Sequence, residues 1–334
     1  MHRFDLKNSK LKKIRTGGVR IDATADNFPA LSGISLSYLE IKPNAFREPH
    51  WHPNADELSY CLEGQGVITI FTPGSIHDSF TISAGDISFV PQNCLHHIQN
   101  TGNEPLKMLV CFDHERPEDL NSSQMLKSMP DTILGATFHE TASFFDALQS
   151  SKAEDFIAQL SHSNPVPLAY LTNRFKLSLE AVTPQVNVKG GTVKMSNHFL
   201  LPTLHGLSVY SLVLHPKGAR EPHWHPNAGE LNYLIQGRVK INLLSPKGVE
   251  SFELEPGQIS YLPKGYLHHI ENISDEEVRM AIFFNHPSPS DIGISGCLGA
   301  YPNDILEALF GVSTDYFKTM PKYQQDLFVV SGGG

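Results

Sequence analysis

Apolar and polar residues alternate along two well-separated stretches, Glu57–Phe71 (ELSYCLEGQGVITIF) and Glu230–Leu244 (ELNYLIQGRVKINLL), each broken by a glycine-containing turn. A period of two puts every other side chain on one face of an extended chain, so each stretch predicts a β-hairpin with one buried face. Two shorter apolar runs, Asp86–Pro91 and Gln258–Pro263, stop at proline, as strands do. Leu106–Phe112 and Val278–Phe284 predict further strands. Many short strands at near-even spacing predict a jelly-roll β-barrel. The pattern then changes. Over 131–160 apolar residues recur every three or four positions, which predicts helix, and Asn303–Phe317 reads the same way.

The strands and helices recur because the chain repeats itself. Arg47–Gly64 reads REPHWHPNADELSYCLEG and Arg220–Gly237 reads REPHWHPNAGELNYLIQG. Gly85–Asn100 (GDISFVPQNCLHHIQN) matches Gly257–Asn272 (GQISYLPKGYLHHIEN), and Phe112–Pro130 aligns without a gap to Phe284–Pro302. Gly17-Gly18-Val19 pairs with Gly190-Gly191-Thr192. The offset is 173 residues at the first motif and 172 after it, so the second copy lacks one residue between Pro246 and Gly257. The chain is therefore expected to be mainly β, with two tandem jelly-roll domains, each with a C-terminal helical extension. The N-terminal domain is expected at 1–161, a linker containing SNPVP at 162–188, and the C-terminal domain at 189–334.

Composition narrows the class. A length of 334 residues suits two domains, and 40% hydrophobic residues suit folded cores. A formal net charge of −9 with no basic stripe argues against nucleic acid. No apolar run reaches the length of a membrane span, and the basic N-terminus has no apolar stretch after it, so neither membrane nor secretory targeting is expected. Cys61, Cys94, Cys111 and Cys297 show no metal-type spacing and are expected to be free thiols in a reducing cytoplasm.

The chemistry lies in the repeated motifs. His50 and His52, two apart on a strand, point to one face; Glu57 follows a turn, and His96 stands on a later strand. The second copy offers His223, His225, Glu230 and His268. A lone His-x-His is weak evidence, but the same four residue types at matching spacing in two copies point to two metal sites. Three imidazoles and one carboxylate suit Mn, Fe, Co, Ni, Cu or Zn, and four protein ligands leave two positions of an octahedral ion for substrate or dioxygen. His97 and His269 alternate to the opposite face and are expected to pack or to support.

These motifs, His-x-His-x4-Glu-x6-Gly and Gly-x5-Pro-x-Gly-x2-His-x3-Asn, resemble those of the cupins, and REPHWHPNA and PKGYLHHIEN are similar to bicupins of the oxalate decarboxylase type, over nearly the whole chain. The resemblance selects His96 and His268 as ligands. It implies an enzyme with Mn2+ at two sites and dioxygen as cofactors, converting oxalate or a similar small carboxylate to formate and carbon dioxide. It also implies that Arg47 and Arg220 hold substrate charge, although strict alternation would turn a residue three before His50 to the other face unless Pro49 and Pro222 break the strand. A proton donor is expected on Asp113–Ser123, with Glu118 and Asp119 as candidates; the family's Ser-Glu-Asn-Ser lid string is absent there. The motif glycines are replaced by Asn44, Lys217 and Asn93. Oxalate oxidase, another bicupin dioxygenase or isomerase, and a non-catalytic metal-binding or storage bicupin are the alternatives. The first site, with its loop acids, is expected to be the catalytic one and the second, whose loop reads HPSPSDIGIS, more structural. A homo-oligomer, a trimer or a hexamer of paired trimers, is implied.

Overall fold

The computed structural model describes residues 2–74, 76–150, 156–162 and 173–332. Each copy folds into two antiparallel sheets laid face to face. In the first copy one sheet runs, in spatial order, Lys176–Ser178, Asp86–Val90, Glu57–Glu63, Leu106–Phe112, Ser35–Ile41, Gly18–Ala23 and Lys12–Arg15. The facing sheet runs Leu120–Asn121, Ala45–Trp51, Leu95–Asn100, Gln65–Thr72 and Ile76–Ser83, and Ile157–Gln159 also pairs with Ala45–Trp51. The second copy repeats the first sheet as Arg3–Asp5, Gln258–Leu262, Glu230–Gln236, Val278–Phe284, Ser208–Leu214, Gly191–Ser196 and Val186–Val188. Its facing sheet is Gly248–Leu254, Val239–Ser245, Leu267–Asn272, Gly218–Trp224 and Ile292–Gly293, with Val329–Ser331 on Gly218–Trp224. The jelly roll is thus two hydrogen-bonded sheets closed by side-chain packing. Ile68, Ile70, Phe80 and Ile82 of one sheet meet Leu39, Cys61, Val90 and Met108 of the other in one buried cluster.

Two edge strands are exchanged between the copies. Arg3–Asp5 pairs with Gln258–Ser260 of the second copy, and Lys176–Ser178 pairs with Asp86–Ser88 of the first. Between the copies lies a further cluster that mixes both sets of side chains, among them Leu36, Leu58 and Phe89 with Leu207, Leu231 and Phe283.

Local chemistry explains several features of the repeat. The single missing residue falls at a hairpin tip: the first hairpin pairs down to Thr72 and Ile76, the second to Ser245 and Gly248. Asn44, Asn93 and Lys217 take left-handed backbone angles, φ +56°, +65° and +64°, where the family motif has glycine. A Cβ on Gly17 would lie 2.7 Å from the Ala158 carbonyl oxygen, and one on Gly190 2.3 Å from that of Val330. Only glycine lets the returning C-terminal strand of each copy pass so close.

The helical expectation over 131–160 needs correction at its end. Asp131–Phe138 and Asp146–Ser150 are α-helical with a 3-10 turn between them, but Ile157–Gln159 is a strand paired with Ala45–Arg47. Ile157 is fully buried there, and the open hydrogen-bonding edge of the sheet outweighs local helical spacing. Asn303–Phe310 and Thr314–Lys318 are helices as expected. Residues 163–172, the centre of the expected linker, lie outside the described residues, as do 151–155. Among the described residues no helix is long and apolar enough to cross a membrane.

The asparagine that closes each second motif ties its barrel end together. Asn272 Nδ2 donates to Leu214 O, His215 O and Glu276 O at 3.1, 3.1 and 2.8 Å, while its Oδ1 accepts from Ser274 N at 2.8 Å. Asn272→Ala would leave buried carbonyls without a donor. The variant is expected to lose about 2–4 kcal/mol, read as a lower urea midpoint with an unchanged slope.

Candidate metal centres

Within each copy the four motif residues converge. Single donor atoms of His50, His52, Glu57 and His96 lie within 4.8 Å of one another, as do those of His223, His225, Glu230 and His268, and all eight residues are buried. At each second motif it is the first histidine of the pair, His96 or His268, that joins the cluster, while His97 and His269 stand outside it.

The imidazoles are set in one tautomer by the backbone. Nδ1 of His50, His52 and His96 donates to the carbonyls of Glu48, Glu118 and Cys94 at 2.8, 2.9 and 3.0 Å. Nδ1 of His223, His225 and His268 donates to those of Glu221, Ser290 and Tyr266 at 2.7, 3.0 and 2.8 Å. A carbonyl only accepts, so Nδ1 carries a hydrogen and Nε2 is the nitrogen left to face an ion. Six rings held this way around two carboxylates fit a divalent ion in each copy. His52 Nε2 and His96 Nε2 stand 3.1 and 3.2 Å from Glu57 Oε2, and His225 and His268 stand 2.8 and 3.2 Å from Glu230 Oε2.

The arginines reach these sites through a bulge. His50 pairs with His96, but Arg47 pairs with Ile98, so three residues on one strand span two on the other. The extra residue beside Pro49 restores Arg47 to the face that carries His50 and His52. The same shift lies between Arg220 and His223. Arg47 lines the cavity with His50, His52 and Glu57, and Arg220 lines the second with His223, His225 and Glu230. The cavities are small, about 20 and 10 Å³.

The loop after Phe112 closes over the first site through Asp119. Its Oδ2 accepts from Arg47 Nη2 at 3.2 Å and Arg20 Nη1 at 2.5 Å, and its Oδ1 lies 3.1 Å from His52 Nδ1. Burial alone would raise Asp119, but Arg20, His52 and Arg47 hold it well below the usual carboxylate range. Burial pulls Arg47 down to about 10, against the pull of Asp119, so it stays charged at neutral pH. Glu118 exposes its side chain to solvent; its backbone N–H is fixed by Asn54 Oδ1 at 2.9 Å. In the second copy Asp291 takes the place of Asp119, 2.9 Å from Arg220 Nη2 and 2.8 Å from His225 Nδ1. Sequence reasoning passed over Asp291, although the gapless alignment of Phe112–Pro130 with Phe284–Pro302 sets it opposite Asp119. It missed Glu48 and Glu221 too. These accept from Ser123 N and Ser295 N, at 3.2 and 3.3 Å, and so anchor the start of the helix behind each loop.

The carboxylates also govern proton uptake. Burial lowers the proton affinity of His52, but Asp119 and Glu57 outweigh it and raise the ring to about 9; Asp291 and Glu230 do the same for His225. His50 and His223 are pushed well below their usual range, by burial first and then by the neighbouring arginine. A ligating Nε2 must be neutral, so metal binding at pH 7.5 is expected to release about one proton per site, and affinity to rise as pH climbs toward 9. Calorimetric titration in buffers of different ionisation enthalpy measures that proton directly. Release of no proton would contradict the assignment.

Comparison with known proteins matches this geometry. The family model described as Cupin matches twice, at residues 5–144 and 177–316. Oxalate decarboxylase OxdC of Bacillus subtilis is 32% identical over 136 residues, 41% of this chain and about a third, 35%, of OxdC. A probable oxalate decarboxylase of Arthroderma benhamiae is 24% identical over 334 residues, 97% of this chain and 81% of that protein. The solved structure of the B. subtilis enzyme at pH 4.6 superposes with a TM-score of 0.88 at 22% identity, covering 100% of this chain and 88% of that one. Another matching structure of that enzyme concerns its Mn(II) centres. With one family model matched in both halves and a full ligand set in each, the chain belongs to the cupin family, as a bicupin of the oxalate decarboxylase type.

Proposed function

We propose that this chain is a manganese-dependent enzyme that splits oxalate into formate and carbon dioxide, consuming one proton, with the first site as the catalytic one. The carrying observation is the bulge that brings Arg47 into the same cavity as His50, His52 and Glu57. Four protein donors would leave an octahedral ion two positions for substrate, and the Arg47 guanidinium in the same cavity suits a carboxylate.

His50, His52, Glu57 and His96 would hold the ion. Bound there, manganese with dioxygen would supply the one-electron chemistry for carbon–carbon cleavage. Arg47 holds the carboxylate end of the substrate. It is itself fixed by Asn121 Oδ1 at 2.9 Å and by the Phe156 carbonyl at 3.3 Å, so it enters the reaction already oriented. Asp119 orients both Arg47 and His52. Of the two loop acids, Asp119 is held ionised by Arg20 and Arg47 and has no proton to give, so the proton that reaches the formyl carbon comes from Glu118, exposed on the same loop. The small cavity, about 20 Å³, excludes bulky substrates.

The test is carbon-13 NMR of labelled oxalate with manganese-loaded protein in air at mildly acid pH. Formate formed over many turnovers is the expected result. Intact oxalate would refute the reading, and oxalate lost to peroxide without formate would make the chain an oxidase. The apolar side chains exposed on the tail helices, Ile305, Leu309, Phe310 and Tyr316, support assembly into a trimer or a pair of trimers, which sedimentation measures. Four unpaired cysteines support a reducing, cytoplasmic setting.

A further inference from the structure

The two cavities differ on one wall. Arg20, Asp22 and Ser37 stand in the first copy where Val193, Met195 and Tyr210 stand in the second. The backbones correspond: Arg20 pairs with Leu39 and Asp22 with Ser37, as Val193 pairs with Leu212 and Met195 with Tyr210. Arg20 lines the first cavity together with Arg47 and the metal ligands, while the second is lined at that point by Val193 and Tyr210.

We propose that Arg20 is a second anion-recognition residue, which makes the first centre more selective than the second for a doubly charged carboxylate. This rests on the reading of oxalate as substrate and adds the residue that reads its charge. Asp119 Oδ2 shows what fits between the two guanidiniums: it accepts from Arg20 Nη1 at 2.5 Å and from Arg47 Nη2 at 3.2 Å. In the second copy the matching oxygen of Asp291 has Arg220 alone, at 2.9 Å.

Arg20 is anchored from behind and so stays in place when a ligand competes with Asp119. Its Nε donates to Asp22 Oδ1 at 2.7 Å, and the same oxygen accepts from Ser37 Oγ at 2.6 Å. Asp22 is shared with Lys13, 3.2 Å away, and therefore does not cancel the charge of Arg20 by itself. Two cations facing a buried cavity favour a dianion over a monoanion, since each contributes twice as much to the former. One cation, as in the second cavity with Arg220, gives about half of that preference.

The test compares oxalate and malonate with formate and acetate, titrated calorimetrically under nitrogen into manganese-loaded protein. The variant R20V/D22M/S37Y gives the first cavity the wall the second already packs. It is expected to lose at least tenfold in dicarboxylate affinity, with monocarboxylates within about threefold and metal still at two ions per chain. Arg20→Lys keeps the charge and its pairing with Asp22, and is expected to retain most of the preference even if the triple variant does not fold. Unchanged dicarboxylate affinity in the triple variant, an equal loss for both ligand classes, or no dicarboxylate preference in the wild type would each overturn the role of Arg20. If wild type fails to turn over oxalate yet the preference falls as described, the decarboxylase reading fails and the role of Arg20 stands.

Discussion

Replacing Glu57 by alanine is expected to empty the first centre and leave the second loaded, so that metal per chain falls from two ions to one. Glu57 is the only carboxylate of its tetrad, 2% exposed, with Oε2 against two imidazoles and Oε1 accepting from Ser59 at 3.0 Å. Without it three neutral rings face a dication in a buried cavity with Arg47 at its side. The loss should exceed the roughly 100-fold that removing a supporting partner of a ligand costs. Glu230→Ala is the control, since it should empty the second centre alone. Formate production should fall about 1000-fold or more in the first variant and keep roughly a tenth or more in the second. Metal analysis and turnover on both variants check this. Equal losses would make the two centres joint partners in the reaction.

The other large effect is expected at Arg47. Arg47→Ala removes a 2% exposed guanidinium that touches Asn121, Asp119 and the Phe156 carbonyl, and whose carbon lies 5.2 Å from the centre of the Phe156 ring. Truncating one member of a buried charged pair costs roughly 2–5 kcal/mol, so kcat/KM for oxalate should drop at least about 100-fold. Arg47→Lys restores charge but not the planar fork, and should recover no more than about tenfold of that. Arg220→Ala, at the second cavity, should leave kcat/KM within about threefold. If Arg220→Ala proves the more damaging, the catalytic assignment moves to the second centre.

Much of this was legible in the sequence because the repeat supplied its own comparison. Two copies of one histidine and glutamate pattern made the two clusters of candidate ligands readable, and hairpin alternation made the sheets readable. What was not legible depended on strand irregularity and on distant partners. Strict alternation turned Arg47 the wrong way, since a bulge between His50 and Arg47 is set by cross-strand pairing and not by local pattern. Ile157–Gln159 read as helix because its strand character comes from the edge it completes. Asp291 was overlooked because its loop carries few charges, and Arg20 because its strand lies far from both motifs in sequence, while the fold sets it against Phe112 and Asp119.

The exchanged edge strands make each half complete a sheet of the other, as Arg3–Asp5 and Lys176–Ser178 reach across. A difference such as arginine at position 20 opposite valine at 193 nevertheless alters one centre only. The arms keep the halves folding as one body, with a single cooperative melting transition expected, while their chemistries are free to diverge.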